Sequence, residues 1–292
     1  MKKLKIIFSG KTLTAVFASV SILAVFFIFI FIFTQGLPLF INIDPSDFLL
    51  NLTWRPTASP PSFGIIPLIL GSLLVTGLAL AISVPLGILG AIYISEIAGA
   101  RVRELLKPAI EVLSGIPSIV YGLFGLLVLV PLIQKTFGLS TGETALTGGI
   151  ILAIMVLPTI LSISEDAMSS VPSEYKEASL ALGATKWRTI RSVTMPAAAS
   201  GITAGIILGF GRAIGETIAV MMVTGGAPIV PTSIFSPVRT MTQTIAAEMG
   251  EAVFGGTHYN ALFAIGIVLF IITFILNSAA VRLIKNKNGG NR

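Results

Sequence analysis

The sequence predicts an all-α integral membrane protein with six transmembrane helices. Of its 292 residues, 54% are hydrophobic and only 11% are charged, and the mean hydropathy is +0.95. Soluble proteins keep roughly a quarter of their residues charged, so the shortfall indicates a surface that faces lipid. The basic residues form short clusters between long apolar runs. This distribution is typical of membrane topology and not of a surface that binds nucleic acid.

Six apolar stretches are as long, or nearly as long, as the roughly 20 residues that a bilayer span requires. The predicted spans are Leu13–Phe33, Ile65–Tyr93, Val112–Ile133, Leu146–Ile163, Ala197–Val223 and Ala261–Ile284. The second stretch is long for one untilted crossing, so Pro85 could kink it or its end could project into the cytoplasm. The first is interpreted as a retained helix, because its apolar run exceeds the core of a cleaved signal.

The distribution of positive charge predicts that both termini lie in the cytoplasm. Alternate connecting segments carry fifteen Lys and Arg residues, whereas the segments between them carry only Arg55, Lys135 and Arg239. Cytoplasmic segments of membrane proteins are enriched in basic residues, so the richer set is assigned to the cytoplasm. Two segments assigned to the outside are long, Gly36–Phe63 and Thr224–Asn260. They could dock a soluble partner or be solvated connections.

The residue types that catalysis, metal binding or nucleotide binding requires are missing or misplaced. The chain has no Cys and one His, His258, which excludes thiolate sites and argues against a His-based metal centre. Ser9-Gly10-Lys11-Thr12 resembles the end of a phosphate-binding loop, but Lys5 stands where that motif needs a Gly. We therefore expect no catalytic residues, no metal and no cofactor bound by this chain.

The longest predicted cytoplasmic connection, residues 164–196, has the pattern of two short helices joined by a turn. Pro172 is well placed at a helix start, and Gly183 is well placed to end that helix. Thr185 can cap a second helix that runs toward Pro196. The pattern predicts a compact hairpin on the membrane surface. A second expected short helix, Thr240–Val253, lies outside.

The hairpin resembles the EAA loop of type I ABC importer permeases, with the spacing Glu177-Ala178-Ser179-x₃-Gly183-x₉-Val193-x-Met195-Pro196. Three residues depart conservatively from the family pattern, namely Ser179, Val193 and Met195. In that family the loop docks onto a separate ATPase subunit. The resemblance implies that the coupling residues are Glu177, Ala178, Ser179, Gly183 and Ala184, and that ATP is used by a partner. The alternative is an ordinary amphipathic surface hairpin.

The predicted fifth span carries Arg212 near mid-depth, where an arginine costs about 2.5–3.5 kcal/mol on insertion scales. Such residues usually face a bundle interior or a water-filled cavity. Glu216 lies four residues on, which places it on the same face of a continuous helix. Gly201, Gly205 and Gly209 permit close helix contact. We hypothesise that Arg212 meets an anion in transit and that Glu216 competes for it. The alternative is a buried ion pair that locks helices together.

The predicted third span contains Ser114-Gly115-Ile116-Pro117-Ser118, with Tyr121 one turn on. Proline disrupts backbone hydrogen bonding, and nearby hydroxyls can compensate. A kink there could expose Ser118 and Tyr121 to a substrate pathway, or it could be purely structural.

Further stretches resemble the C-type permease subunits of high-affinity phosphate importers. They are Trp54-Arg55-Pro56, Phe63–Ile69, Ser114–Gly122, Arg212–Thr217 and Glu248–Ala252. The resemblance implies the type I ABC importer permease (MetI-like) fold and inorganic phosphate as cargo, with Arg212 and Glu216 as a charged pair in the pathway. It also implies a heterodimer with an A-type permease subunit, two copies of an ATPase subunit, an extracytoplasmic phosphate-binding protein, and a place in the cell membrane.

On this interpretation the chain has three parts. Residues 1–64 form an N-terminal transmembrane helix and outside segment, residues 65–285 form the permease domain, and residues 286–292 form a cytoplasmic tail. One alternative is a permease for another oxyanion such as sulfate or molybdate. Another is an ion-gradient-driven carrier, which inverted repeats or several intramembrane carboxylates would favour. A third, an intramembrane enzyme, would need clustered carboxylates or histidines.

Overall fold

Long apolar segments fold as helices in lipid because each backbone polar group must be satisfied within its own segment. A computed structural model describes residues 10–289, and helices dominate it. The helices are α1 (Gly10–Gly36), α2 (Leu39–Asn42), α3 (Pro45–Leu50), α4 (Ile66–Ile92), α5 (Ala100–Gly115), α6 (Ser118–Phe124), α7 (Val130–Phe137), α8 (Ala145–Ser169), α9 (Ser173–Ala181), α10 (Lys186–Thr189), α11 (Met195–Ala197), α12 (Ala199–Gly215), α13 (Ile218–Val223), α14 (Met241–Glu248) and α15 (Thr257–Gly289).

Short irregular elements complete the chain. Strands β1 (Trp54–Arg55) and β2 (Ser62–Phe63) pair antiparallel, with Trp54 opposite Phe63. Single π-helical turns at Tyr93–Ile97, Gly125–Leu129 and Ile190–Thr194 extend α4, α6 and α10.

Five helical stretches within residues 10–289 are long and apolar enough to cross a membrane. They are Thr12–Asn42, Ile66–Ile97, Ser118–Phe137, Ala145–Ser169 and Thr257–Ser278. A sixth is present if Lys186–Ala197 and Ala199–Gly215, which meet at 69°, count as one bent span. The predicted all-α membrane fold is confirmed, including the short fourth span.

The third span begins later than predicted. The chain is extended at Ile116 and Pro117, with ψ of 129° and 141°, so α5 ends at Gly115 and a new helix starts at Ser118. Proline removes a backbone N–H and disfavours helical geometry in the residue before it, which turns the expected kink into a complete break. Residues 112–115 therefore belong to α5, which has no buried residue.

The fifth span is also interrupted, and one prediction about it is wrong. Glu216 is extended (φ −69°, ψ 135°), so α12 ends at Gly215 and α13 begins at Ile218. Arg212 and Glu216 do not share the face of one continuous helix.

The core is built around α8, which packs against α4 and α12. Ile151, Val156 and Ile160 of α8 are completely buried. A Cβ added at Gly201 would lie 2.4 Å from Ala167 Cβ, and one added at Gly209 would lie 2.7 Å from Ile160 Cγ1. The glycine spacing on α12 therefore permits close contact with α8, as predicted.

The two ends of the bundle differ in their irregular structure. At one end, which we call the hairpin end, residues 173–196 follow α8. At the opposite end, which we call the cap end, lie the β1–β2 hairpin and α14. The helix expected over Thr240–Val253 is present but ends at Glu248.

Candidate functional site

Arg212 lies in the last turn of α12, immediately before the break at Glu216. Its guanidinium donates to Thr159 Oγ1 at 3.4 Å and to the main-chain oxygen of Ser114 at 3.5 Å. Both contacts are at the long limit for hydrogen bonds, and a guanidinium has five N–H donors. Arg212 is only partly buried. The group therefore keeps donors that a further acceptor can use.

A cavity of about 280 Å³ lies close to Arg212, between α5 and α8. Ser114 and Thr159, the two residues that accept hydrogen bonds from Arg212, both line it. Its other lining residues include Glu111 and Ser162. Hydroxyl-bearing residues and the exposed Glu111 thus line one space, and Arg212 contacts two of the residues that line it. Sequence reasoning missed Thr159 and did not place Glu111 here, because no local pattern indicates which residues of α5 and α8 face each other.

Glu216 is held by the backbone around the break. Its Oε1 accepts a hydrogen bond from the Ala219 N–H at 3.2 Å, and its main-chain oxygen accepts one from Thr242 Oγ1 at 2.9 Å. Within residues 10–289 no ion pair joins it to Arg212. The carboxylate caps the first turn of α13.

Tyr121 and Ser118 occupy different environments. Tyr121 is buried, and its hydroxyl donates to the main-chain oxygen of Leu113 at 2.7 Å. The usual helical donor to that carbonyl would be residue 117, a proline without an N–H, so the Tyr121 hydroxyl and the Ile116 N–H at 3.4 Å serve it instead, which favours the structural alternative for Tyr121. Ser118 begins α6 and is partly buried beside the break.

The hairpin predicted from the sequence is confirmed. Helix α9 ends before Gly183, which has a φ of +81°, a left-handed conformation that glycine adopts without a Cβ clash. Thr185 Oγ1 then accepts from the Arg188 N–H at 3.3 Å, which caps α10. Between the two helices, Ser179 Oγ and Thr189 Oγ1 lie 2.9 Å apart.

The hairpin presents large apolar side chains to its surroundings. Leu182 is 90% exposed, and Tyr175 and Trp187 are also exposed. Glu177 and Ala178 of the loop motif are exposed as well, whereas Ala184 is partly buried. An exposed apolar group bordered by charged residues is typical of a protein interaction site.

An ion pair joins the hairpin end to the transmembrane helices. Lys176 Nζ of α9 lies 2.6 Å from Glu96 Oε1, in the π-helical turn after α4. The pair is mostly buried and joins α9 to the turn that follows α4. The sequence spacing could not predict this ion pair, because 80 residues separate the two side chains.

A second ion cluster holds α5 against α8. Glu165 is only 2% exposed, and it accepts from Arg103 Nη2 at 2.5 Å and from Lys107 Nζ at 2.8 Å. Lys107 also pairs with Asp166 at 2.9 Å. Hydrogen bonds to Asp166 and Glu165 raise the pKa of Lys107 above its ordinary value of 10.5. The lysine is thus charged at neutral pH, and its contribution to stability is lost only when the pH rises through that raised pKa.

Comparison with known proteins gives a consistent family relationship. The model of the family described as binding-protein-dependent transport system inner membrane component matches residues 83–288. The probable ABC transporter permease protein YqgH of Bacillus subtilis is 44% identical, over 91% of this chain and 87% of that protein. The phosphate transport system permease protein PstC of Mesorhizobium japonicum is 40% identical, over 80% and 76%. PstC of Haemophilus influenzae is 38% identical, over 78% and 77%.

Solved structures show the same fold. A bacterial ABC transporter involved in the import of the acidic polysaccharide alginate superimposes with a TM-score of 0.67 at 14% identity, over 98% of this chain and 99% of that chain. An inward-facing MetNI methionine ABC transporter gives a TM-score of 0.57 at 21% identity, over 77% and 94%.

Replacing Glu165 with Ala should destabilise the bundle, because it leaves Arg103 without its carboxylate and Lys107 with only Asp166. Breaking a buried ion pair costs about 3–5 kcal/mol, and the partial exposure of both cations favours the lower end. We expect a lower melting temperature in a fixed detergent. Glu104→Ala, an exposed acid on α5 with no recorded side-chain partner in the described range, is the matched control. Equal melting temperatures for the two variants would contradict the structural role of the cluster.

Proposed function

Because this chain belongs to the family of binding-protein-dependent transport system inner membrane components, we propose that it carries inorganic phosphate through the membrane. The chain is a multi-pass permease subunit of an ABC importer and not an enzyme, since ATP hydrolysis in these systems belongs to a separate subunit. The observation that supports an anionic cargo is Arg212, whose guanidinium keeps unused donors and contacts Ser114 and Thr159, two of the residues that line a cavity between α5 and α8.

The geometry around Arg212 suits a transient oxyanion contact. A planar guanidinium can donate two parallel hydrogen bonds to two oxygens of a tetrahedral anion. The present partners, a threonine hydroxyl and a main-chain oxygen at 3.4 and 3.5 Å, are neutral and distant, so an anion can displace them. Passage requires a site that binds strongly enough to admit the ion and weakly enough to release it.

Glu111 supports phosphate over sulfate. At neutral pH phosphate keeps at least one O–H, which can donate to a carboxylate, whereas sulfate has none. Glu111 lines the same cavity as Ser114 and Thr159 and can accept that hydrogen bond. Facing sulfate, the same carboxylate would only repel. Two relatives at 38% and 40% identity are named phosphate transport permeases, which agrees with this preference.

The pathway is proposed to lie between this subunit and an A-type permease partner. Cβ atoms added at Gly211, next to Arg212 in the chain, and at Gly115, next to its partner Ser114, would meet no atom within 4 Å among the described residues. Arg212 thus borders a face that this chain leaves uncovered. A second permease subunit would close that face, with a phosphate-binding protein at the cap end.

The hairpin end is proposed to face the cytoplasm, as do both termini, and to dock one of two ATPase subunits. Exposed Leu182 and Trp187 supply apolar contact area, while Glu177, Ala178, Ser179, Gly183 and Ala184 form the docking and turning segment. The Lys176–Glu96 pair would pass displacement of α9 to α4.

The cargo assignment predicts ATP-dependent uptake of phosphate in preference to sulfate by the complete transporter in proteoliposomes. Glu111→Gln should reduce this preference, because an amide can donate to sulfate and no longer repels it. Competition between labelled phosphate and unlabelled sulfate measures the ratio. Uptake that continues without the ATPase would contradict the importer assignment, and equal uptake of both anions would contradict the cargo.

Arg212→Lys should lower phosphate uptake roughly tenfold, because it keeps the charge but loses the planar pair of donors, and one charge-assisted hydrogen bond contributes about 1.5–3 kcal/mol. Arg101→Lys, on an exposed position of α5, is the control. Initial uptake rates at several phosphate concentrations measure the effect. Wild-type rates for Arg212→Lys would exclude two-point recognition of the anion.

Gly183→Val should uncouple ATP hydrolysis from uptake, because a β-branched residue strains a φ of +81° and shifts the turn of the hairpin. Gly138→Val places the same residue at a φ of +62° at the opposite end of the bundle, again with nothing within 4 Å of the added Cβ. The ratio of phosphate imported to ATP hydrolysed should fall only for Gly183→Val. A fall of equal size in both variants would show general strain and no docking role.

A further inference from the structure

Glu248, the last residue of α14, joins three separate elements at the cap end. Its carboxylate accepts from Trp54 Nε1 at 3.1 Å to each oxygen, from Arg239 Nη1 at 2.5 Å and from His258 Nε2 at 2.8 Å. These partners come from β1, from the segment before α14 and from α15. Glu248 side-chain exposure is 13%. Charge-assisted bonds of this kind fix a side chain strongly, so Glu248 links α14 to three other parts of the cap end, in addition to the apolar packing of Met241 and Ile245.

The other end of α14 contacts the interrupted fifth span. Thr240 and Gln243 form a reciprocal capping box, which makes the first turn of α14 rigid. Thr242 in that turn donates its hydroxyl to the main-chain oxygen of Glu216 at 2.9 Å. The Met241 N–H donates to Ser72 Oγ of α4 at 2.9 Å. Helix α14 therefore connects the Glu248 cluster to the point where α12 ends.

The hydrogen bond from Thr242 satisfies a carbonyl that the break exposes. In a continuous helix the Glu216 oxygen would accept from the N–H four residues later, but Glu216 is extended. A carbonyl without a partner is costly inside a membrane protein, so this bond stabilises the break where it is. Arg212 lies in the turn immediately before that break, and its position depends on where α12 stops.

We propose that Glu248 is a positioning residue for the passage of the anion. By holding α14 at the cap end, it holds Thr242 on the Glu216 carbonyl and thereby fixes the end of the helix that carries Arg212. The inference rests on the proposed function for the identity of the cargo, but its geometric part can be measured without any cargo.

The chain has no Cys, so Gly215→Cys introduces a single thiol at the break. Gly215 is exposed, and an added Cβ meets no atom within 4 Å. In the assembled transporter, Glu248→Gln should change the rate of labelling of this thiol by a maleimide roughly three- to tenfold, because an amide oxygen still accepts hydrogen bonds but holds these donors less strongly than a carboxylate does. Thr242→Val should do the same, and the double variant should show no more than the larger single effect.

Two controls separate positioning from general damage. Glu251→Gln changes an exposed acid three residues from Glu248 whose carboxylate has no recorded partner within residues 10–289, and it should leave the labelling rate unchanged. Thr242→Ser keeps the hydroxyl and should restore the wild-type rate. If Glu248→Gln does not assemble, His258→Phe takes its place, because it removes one donor to Glu248 and keeps a ring against Trp54 and Phe63; an unchanged labelling rate in that variant would overturn the proposal.

An unchanged labelling rate in an assembled Glu248→Gln or Thr242→Val variant would overturn the proposal. A double variant whose effect equals the product of the two single effects would overturn it as well, because the two residues would then act independently. Phosphate uptake is measured on the same preparations. The expected labelling pattern without phosphate uptake by the wild type would refute the cargo and leave the positioning role supported. Phosphate uptake by the wild type together with unaltered labelling in the variants would support the cargo and refute the positioning role.

Discussion

The need to satisfy every backbone polar group away from water decides where this bundle can be irregular. A continuous helix meets that need by itself, but each break frees carbonyls that some other group must bind. At the break before Ser118, the Leu113 carbonyl accepts from Tyr121, and the Ser114 carbonyl accepts from Arg212. At the break after Gly215, the Glu216 carbonyl accepts from Thr242. The two breaks approach each other in the structure, because Arg212 from one reaches the carbonyl freed by the other. The candidate pathway is thus formed where helices fail to continue.

The rest of the bundle supports these breaks by being rigid. Helix α8 is buried along most of its length and approaches the glycine face of α12 closely. The same helix carries Thr159 toward Arg212 and Glu165 toward the cations of α5. A displacement of α8 would therefore alter the cavity and the ion cluster together. The Lys176–Glu96 pair adds a separate connection from the hairpin to α4, the other helix packed along α8.

Sequence reasoning predicted the features that depend on local chemistry. Apolar length located the spans, and Pro172, Gly183 and Thr185 located the hairpin because capping and left-handed turns are properties of single residues. It failed where distant groups decide the outcome. Nothing near Glu216 indicates that the helix stops there, since the hydroxyl that stabilises the break comes from Thr242, 26 residues away. For the same reason the partners of Arg212, 53 and 98 residues away, could not be predicted from spacing.

The exposed apolar tip of the hairpin affects the stability of the subunit before it is assembled. Leu182 is 90% exposed, and the exposed Trp187 and Tyr175 lie on the same short hairpin. In an orphan subunit these side chains would remain in water, where they are attractive to chaperones and proteases and prone to self-association. If an ATPase subunit covers the hairpin as proposed, balanced synthesis of the two subunits would govern the abundance of the permease as well as its activity.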